Sequence, residues 1–307
     1  MNSGGAVLVT GATGFVGRHL IRRLLAEGRP VSCMVRSGTD LTTLPRGLSD
    51  ATLLAYDGTT RSAFEAVESA RPATVFHLAS HFRAEHAPED VVPMIASNVL
   101  FGTQLLEALA RVGQPSTGFV NVGTSWQHFG DAEYDPVCLY AATKQAFADV
   151  LLYFVHAEGL RATTLSPFDT YGPDDPRPKL IALLERATRS DDPLPMSPGE
   201  QLLELVYIDD VIEALLAAED LLARGEIGDA EEFAVTAGEQ WTLRQVADAF
   251  AAVTGRVPNI EWGGRPYRHR EVMAPWRNGV ALPGWSAEVG LKDGLRRLVD
   301  ARGVSIG

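Results

Sequence analysis

The sequence predicts an α/β protein built on a doubly wound parallel β-sheet, with a smaller α/β domain interleaved towards the C-terminus. The first observation behind this prediction is that short β-branched runs alternate with amphipathic stretches up to Pro167. Parallel strands need crossover connections, so this alternation favours a parallel sheet covered by helices on both faces. The second observation is that seven prolines between Pro167 and Pro198 interrupt the alternation.

The alternation predicts individual elements and two domains. The predicted strands are Ala6–Val9, Val31–Val35, Thr52–Ala55, Thr74–His77, Phe119–Val122 and Arg161–Leu165, and the helices are Phe15–Ala26, Val91–Val112 and Val137–His156. Beyond the prolines, helices are predicted at Leu180–Ala187 and Leu243–Val253, with a return of strand and helix over Leu205–Leu222 and Glu232–Val235. We assign residues 1–166, with a return segment at about 205–236, to a dinucleotide-binding sheet domain. Residues 167–204 and 237–307 are predicted to form the substrate domain.

Composition and charge narrow the classes of function. The chain has 307 residues, of which 46% are hydrophobic and 21% charged, as in compact globular proteins. Its formal net charge of -12 repels a phosphate backbone, so nucleic-acid binding is not expected. Two cysteines and the lack of a signal-peptide pattern indicate a reduced, cytoplasmic setting, and the apolar runs are too short for a membrane span.

A glycine-rich turn, Thr10-Gly-Ala-Thr-Gly-Phe-Val-Gly17, joins the first predicted strand to the first helix. Gly11 permits a tight turn, Gly14 lets the backbone approach a pyrophosphate, and Gly17 lets the helix pack closely on the sheet. The helix N-terminus adds free N–H groups and the positive end of the helix dipole. The motif therefore predicts a Rossmann dinucleotide site, with contacts to the cofactor from Gly11, Thr13, Gly14, Phe15, Val16 and Gly17.

The end of the second predicted strand bears on the choice of dinucleotide. An acidic residue here would bind the ribose 2′-hydroxyl of NAD and repel the 2′-phosphate of NADP. The sequence instead has Arg36, with Ser37 beside it. Because a guanidinium carries a permanent charge that suits phosphate, we expect NADP(H) in preference to NAD(H).

A tyrosine and a lysine four residues apart follow the fifth predicted strand. Tyr140 and Lys144 therefore lie on one face of a helix. A phenol has a reference pKa of about 10, and a nearby cation favours its phenolate. Such a pair can pass a proton to or from a carbonyl oxygen while a hydride moves at the carbonyl carbon. The pair predicts an oxidoreductase that interconverts alcohols and carbonyls.

These motifs resemble the extended branch of the short-chain dehydrogenase/reductase family, and the resemblance runs through essentially the whole chain. The GxxGxxG spacing of the glycine turn is typical of that branch. Asn121–Gly130 is similar to the family's SSxxxYG segment, Pro167–Pro173 to its RPFNVYGP segment and Leu205–Val211 to its FVYVDDV segment. Within these segments Phe129, Ser166 and Asp169 replace the usual Tyr, Arg and Asn.

The resemblance implies further site residues. Ser125 aligns with the catalytic hydroxyl and Thr124 with a helper, while Asn98 supports the active site and Lys144 binds the nicotinamide ribose. Further cofactor contacts are expected from Arg36, Ser37, Asp57, Leu78, Ala79, Ser80, Asn98, Tyr140, Lys144 and Pro167. Substrate contacts are expected from Ser125, Gln127, Asp169, Arg177 and Lys179, with Arg265, Arg268 and Arg270 as alternative phosphate ligands. No metal site is expected.

The family contains 4-epimerases, 4,6-dehydratases and ketoreductases of nucleotide-linked sugars. Dehydratases follow the catalytic hydroxyl with Asp-Glu, whereas Ser125 is followed by Trp126 and Gln127, whose side chains do not act as acid or base at neutral pH. Epimerases usually retain NAD, which Arg36 disfavours. We therefore expect NADPH-dependent reduction of the 4-keto group of a nucleotide-linked 4-keto-6-deoxyhexose.

Three alternatives remain open at this stage. They are an NAD-dependent nucleotide-sugar 4-epimerase, a ketoreductase of another small carbonyl compound and a non-catalytic NADP-sensing regulator. The last is disfavoured because Tyr140 and Lys144 are both present. The resemblance also implies a homodimer formed through the helices around Asn98 and Tyr140.

Overall fold

The computed structural model describes residues 5–39, 50–112 and 117–301. The strands are β1 (Val7–Thr10), β2 (Val31–Arg36), β3 (Thr52–Tyr56), β4 (Thr74–His77), β5 (Gly118–Val122), β6 (Arg161–Pro167), β7 (Asp169–Tyr171), β8 (Leu194–Met196), β9 (Leu202–Leu203), β10 (Leu205–Tyr207), β11 (Glu231–Val235), β12 (Trp241–Thr242) and β13 (Ile260–Trp262). The helices are α1 (Phe15–Ala26), α2 (Thr60–Ala70), α3 (Val91–Ile95), α4 (Phe101–Val112), α5 (Leu139–Glu158), α6 (Leu180–Ala187), α7 (Ile208–Arg224), α8 (Leu243–Thr254) and α9 (Leu291–Ala301).

A seven-stranded parallel sheet forms the centre of the described chain. Its strand order is β11-β6-β5-β4-β1-β2-β3, which confirms the predicted doubly wound sheet. The order reverses between β1 and β4, and ligands of such sheets bind in the crevice at the carboxyl ends of the strands at this point. The glycine turn after β1 and the segment after β4 lie at that crevice.

Hydrophobic cores cover both faces of the sheet. Val7 and Val9 of β1 pack into a core shared with α1 and α7, whereas Leu8 packs into a second core shared with α2, α4 and α5. This division follows from the two-residue period of a strand, which sends alternate side chains to opposite faces. The sheet is therefore held rigidly from both sides.

One helical stretch, Pro88–Val112, changes its winding near the crevice. A π-helical turn at Ala96–Leu100 separates α3 from α4, and it contains the buried Asn98. π-helical turns inside α-helices are frequent at functional sites. By length and composition alone this stretch is apolar enough to cross a membrane, although buried residues pack α4 against α2 and α5.

The smaller part of the protein is built from short pairings rather than one large sheet. β10 pairs with β7, β12 with β9 and β13 with β8. Within the segment predicted to return to the main sheet, β11 lies at the edge of that sheet beside β6, whereas β10 pairs with β7 instead. The prolines before Pro198 interrupt longer pairings because proline has no N–H to donate to a ladder.

Helices α2 and α9 were not predicted from the sequence. Thr59 caps α2, because its side chain accepts a hydrogen bond from the Ser62 N–H at 3.2 Å. Helix α9 contains Gly294, which lowers helix propensity. A Cβ at Gly294 would lie 2.0 Å from the Tyr171 hydroxyl oxygen, so packing against Tyr171 requires the glycine.

Candidate active site

The glycine turn has a backbone shape that side chains would obstruct. Gly11 has a φ of +70°, and a Cβ there would lie 2.7 Å from the backbone of Leu78 and Ala79. A Cβ on Gly17 would lie 2.2 Å from the Gly11 carbonyl oxygen, so this glycine allows α1 to pack against the turn. Gly14 is exposed and caps the N-terminus of α1, whose first turn contains no acidic residue. The turn therefore fits a dinucleotide pyrophosphate.

The ends of β2 and β3 provide the exposed polar groups expected near the adenosine. Arg36 and Ser37 are exposed, and Arg36 forms no ion pair within the described residues. Asp57 is also exposed, and its Oδ1 accepts hydrogen bonds from the Thr59 N–H at 2.9 Å and the Thr59 hydroxyl at 2.6 Å. Hydrogen bonds from Thr59 and Ser62 lower the pKa of Asp57 to about 2, so the carboxylate is ionised.

The segment after β4 is fixed by a buried histidine and by Asn98. The Thr10 hydroxyl lies 3.0 Å from His77 Nδ1 and accepts a hydrogen bond from the Ala79 N–H at 3.2 Å. Burial, followed by the charge of Lys144, lowers the pKa of His77 to about 3, so this ring is neutral. Leu78 and Ala79 are half-buried and Ser80 is exposed at the crevice, where the cofactor was predicted to contact them.

Asn98 acts as a brace between the segment after β4 and α5. Its Oδ1 accepts a hydrogen bond from the His81 N–H at 2.7 Å, while its Nδ2 donates to the His81 carbonyl at 3.1 Å and to the Thr143 hydroxyl at 2.9 Å. Asn98 is only 1% exposed, and these contacts occupy its amide. The predicted cofactor contact from Asn98 is therefore replaced by a supporting role.

Tyr140 and Lys144 lie one turn apart on α5, next to the segment after β4. Burial raises the pKa of Tyr140 to about 12, although a hydrogen bond with Ser80 opposes the rise. Burial also lowers the pKa of Lys144 to about 8. The predicted lowering of the tyrosine pKa by Lys144 is absent here, because loss of solvation dominates at both groups. Tyr140 is consequently a protonated phenol at neutral pH.

Ser125 begins a short 3-10 turn after β5, opposite α5. It is half-buried, and its hydroxyl forms no hydrogen bond within the described residues. Thr124 instead caps the turn by accepting a hydrogen bond from the Trp126 N–H at 3.3 Å. Of the two hydroxyls predicted to be catalytic, Ser125 is therefore the available one.

Gln127 does not face the substrate as predicted. It is 1% exposed, its Oε1 accepts a hydrogen bond from the Thr124 N–H at 3.0 Å, and its Nε2 donates to Gln145 Oε1 at 2.9 Å. The polar side chain points inward because it satisfies a buried backbone N–H that would otherwise be unpaired. Gln127 thus ties the Ser125 turn to α5.

A cavity of about 330 Å³ lies between the two halves of the protein, beside Trp126 and Asp169. Three aromatic residues that were not predicted to contact substrate line it, namely Phe82, Trp126 and Tyr171. Phe82 packs edge-on against Tyr140, with ring centroids 4.9 Å apart, and it also contacts Trp126 at 5.8 Å. Only the position of Phe82 two residues after Ser80 could have indicated this role.

Four cationic side chains line the cavity, and most of them are already paired. Arg177 binds both carboxylate oxygens of Asp175 at 2.7 Å, and Lys179 lies 3.0 Å from Asp169. Arg268 binds Glu271, whereas the guanidinium of Arg265 forms no hydrogen bond or ion pair within the described residues. Arg265 is therefore the cation most available to a substrate phosphate.

Pro167 ends β6 and is half-buried at the carboxyl edge of the sheet, as a cofactor contact requires. Arg270 lies elsewhere, because it forms an ion pair with Asp135 at 2.6 Å and lines no part of the cavity. Within the described residues no cluster of His, Cys, Asp or Glu has the arrangement of a metal site.

We expect the substitution Gly14→Val to weaken dinucleotide binding by tenfold or more, about 1.4 kcal/mol, without unfolding the protein. Gly14 has a φ of -76°, which any residue adopts, and its Cβ would meet only the Gly11 carbonyl oxygen at 3.1 Å. The added side chain would occupy the space required by a pyrophosphate. Titration of intrinsic fluorescence with cofactor and a thermal melt measure the two effects.

Gly17→Ala is the matched control for this prediction. Its Cβ would overlap the Gly11 carbonyl, so we expect a clear loss of thermal stability. Equal cofactor affinity in Gly14→Val and the unmodified protein would show that the turn does not hold a pyrophosphate.

Comparisons with known proteins place this geometry in a family. Residues 7–231 match the NAD dependent epimerase/dehydratase family. The chain is 23% identical over 299 residues to CDP-abequose synthase of Salmonella muenchen, covering 96% of this chain and 97% of that protein. It is 30% identical over 263 residues to sterol demethylase protein B of Methylococcus capsulatus, covering 81% of this chain and 74% of that protein.

A solved structure extends the similarity over almost the whole fold. The UDP-glucose 4-epimerase of Thermus thermophilus, in complex with NAD, is 26% identical and superposes with a TM-score of 0.80, covering 98% of this chain and 99% of that chain. The prediction that the chain is an enzyme of this kind is confirmed. The protein belongs to the NAD dependent epimerase/dehydratase family, within the extended short-chain dehydrogenases/reductases.

Proposed function

We propose that this enzyme uses NADPH to reduce the 4-keto group of a nucleotide-linked 4-keto-6-deoxyhexose. The observation that carries the proposal is the protonated phenol of Tyr140 on α5, the helix that contacts the 3-10 turn of Ser125. The neighbours of these two residues, Phe82 against Tyr140 and Trp126 after Ser125, line the cavity. The similarity to CDP-abequose synthase, a protein named for a nucleotide-linked sugar, supports this class of substrate.

The chain's own residues supply the proton and orient the carbonyl. A bound nicotinamide cofactor supplies the hydride. Tyr140 donates its proton to the carbonyl oxygen, and because an alkoxide is a stronger base than a phenolate, this transfer is favourable even from a phenol with a pKa of about 12. Ser125 donates a hydrogen bond to the same oxygen. Lys144 would hold the nicotinamide ribose of a bound cofactor through its ammonium group.

The region beyond the sugar fits a nucleoside diphosphate. Arg265 has a free guanidinium at the cavity, and Arg268 lies close to it on the same segment. Arg177 and Lys179 keep carboxylate partners, so their net charge is already offset. A diphosphate is therefore expected to bind Arg265, because Arg268 on the same segment keeps Glu271 as its partner.

We expect the protein to oxidise NADPH in the presence of a nucleotide-linked 4-keto-6-deoxyglucose. In Tyr140→Phe, loss of the proton donor should lower kcat by about 10²–10⁴-fold. Cofactor affinity should remain nearly unchanged, because the substitution removes only one hydroxyl. Absorbance at the NADPH band measures kcat, and fluorescence titration measures the affinity.

Tyr134→Phe is the control, because Tyr134 is 47% exposed on the neighbouring loop and should leave kcat unchanged. A Tyr140→Phe enzyme with the rate of the unmodified protein would overturn the proposed proton donor. Absence of NADPH oxidation with every 4-keto sugar nucleotide would overturn the proposed substrate.

The preference for NADPH rests on Arg36. We expect Arg36→Ala to raise the KM for NADPH about tenfold or more and to leave the KM for NADH unchanged, because only NADPH carries the 2′-phosphate. Steady-state rates with each cofactor provide the measurement, and NADH is the internal control. An equal effect on both cofactors, or none on either, would contradict the assignment.

Two other functions have specific support. The similarity to a UDP-glucose 4-epimerase solved with NAD favours an NAD-dependent nucleotide-sugar 4-epimerase. NAD that co-purifies with the protein, together with interconversion of two nucleotide sugars, would identify that activity. The similarity to sterol demethylase protein B, a protein named for a sterol and not for a nucleotide sugar, is the observation in favour of a substrate that carries no nucleotide, as for a ketoreductase of another carbonyl compound. Reduction of a carbonyl compound that lacks a nucleotide would identify it.

We also propose that the protein forms a homodimer through α3, α4 and α5. Apolar side chains are exposed along this face: Val92 is 76% exposed, Ile95 44%, Leu100 48%, Leu152 42% and Tyr153 57%. Exposed apolar surface of this kind is typical of an interface between proteins. Helices α4 and α5 already pack against each other within one chain, so a second copy can complete a four-helix contact.

We expect Val92→Glu combined with Ile95→Glu to convert the dimer to a monomer, because two buried carboxylates would have no partners across the interface. Light scattering after gel filtration measures the mass. Val257→Glu is the control, since Val257 is 81% exposed on a loop outside this face. A monomeric unmodified protein would refute the proposed interface.

A further inference from the structure

We propose that His128 is a positioning residue whose charged ring, held by Glu232 and Trp276, fixes the turn that carries Ser125. The step that this turn serves rests on the proposed function, but the state of His128 can be tested without it. His128 lies three residues after Ser125 and is only 6% exposed.

The hydrogen bonds of the ring require a doubly protonated imidazole. Nδ1 lies 2.7 Å from the carbonyl oxygen of Glu133, and Nε2 lies 3.3 Å from Glu232 Oε1. Both neighbours are acceptors, whereas a neutral imidazole donates from one nitrogen only. The geometry therefore favours the imidazolium, with Glu232 as its counter-ion.

Glu232 is itself held in place from the central sheet. It lies on β11, and the same Oε1 accepts a hydrogen bond from the hydroxyl of Ser166, which is fully buried on β6. The counter-ion of His128 is thus anchored to adjacent strands of the seven-stranded sheet. The short segment after β5 is in this way tied to the central sheet.

The other face of the ring is covered by the C-terminal half of the chain. His128 stacks on Trp276, with ring centroids 3.8 Å apart and an angle of 14° between the planes. Residues 268–278, here named the C-terminal strap, also form two ion pairs with the segment after Ser125. Arg270 pairs with Asp135 at 2.6 Å, and Arg277 pairs with Asp131 at 3.1 Å.

The ring is coupled to Ser125 through the backbone and through a shared cavity. The His128 N–H donates to the Ser125 carbonyl at 3.2 Å and closes the 3-10 turn. Ser125, His128 and Trp276 also line one small cavity of about 50 Å³. A displacement of the ring would therefore move the backbone of Ser125 and open this cavity.

The charge of His128 depends on pH, and Glu232 determines the direction in which the pKa of His128 is shifted. Burial by itself lowers the pKa of His128, but the hydrogen bond and charge of Glu232, with the Glu133 carbonyl, raise it overall above its ordinary value of 6.5. The other charged groups around the ring are paired as well: Asp131 and Asp135 each with an arginine of the strap, Glu271 with Arg268, and Asp169 with Lys179. Glu204 lines the same small cavity and accepts a hydrogen bond from the Gly238 N–H. A raised pKa stabilises the fold at low pH, and this stabilisation is lost as pH rises through the folded-state pKa.

The test compares Glu232→Gln with Asp135→Asn. Glu232→Gln removes the counter-ion, so the pKa of His128 should fall below its value in the unmodified protein. The alkaline decline of kcat, measured with saturating cofactor and substrate, should move to lower pH by the same amount. Asp135→Asn removes the side-chain ion pair with Arg270 but keeps the backbone bridge between Asp135 and His128, so it should leave both midpoints unchanged. Ring NMR of His128 reports its pKa directly.

The outcomes separate this proposal from the proposed function. If the NMR midpoint of His128 is the same in Glu232→Gln and the unmodified protein, or if Asp135→Asn shifts it equally, the charged pair does not exist as described. If the NMR midpoint moves but the kcat profile does not, His128 does not position Ser125. If the protein reduces no 4-keto sugar nucleotide, the substrate proposal fails, and the same profiles are measured with the reaction that it does catalyse.

Discussion

The close approach of two loops at the reversal point of the sheet is the constraint on which the site depends. A Cβ at Gly11 would lie 2.7 Å from the backbone of Leu78 and Ala79, so the turn after β1 and the segment after β4 touch without an intervening side chain. The Thr10 hydroxyl accepts a hydrogen bond from the Ala79 N–H, which strengthens this contact. Because the contact leaves a smooth backbone surface at the carboxyl edge, a dinucleotide can lie across it.

Burial shifts the pKa values of the predicted catalytic groups beside that surface. Loss of solvation raises the pKa of Tyr140, so the phenol stays protonated, and it lowers the pKa of Lys144 to about 8. Adjacent turns therefore carry a proton donor and an ammonium group that loses its proton more readily than an exposed lysine. Asn98, in its π-helical turn, holds α5 against the segment after β4. Such buried networks fix geometry because an unpaired polar group would be costly to bury.

The C-terminal half of the chain lines the cavity, and carboxylates from this half pair with most of the cations there. Asp175, Asp169 and Glu271 offset three of the four cations at the cavity, and the strap binds the segment after Ser125. In a chain with a net charge of -12, the unpaired positive charge among the described residues at the cavity is therefore confined to one side chain. Arg265 remains available, and His128 links the strap to the central sheet.

The sequence alone determined the sheet, the glycine turn, Arg36 and the Tyr140–Lys144 pair, because each depends on residues close together in the chain and on local periodicity. It did not determine the inward turn of Gln127, the pairing of Arg270 with Asp135 or the contact of Glu232 with His128, which join residues up to 135 positions apart. It also misjudged the effect of Lys144 on Tyr140, because burial depends on what packs around both groups. Tertiary structure decided these features, since solvation and long-range pairing exist only after the two halves have come together.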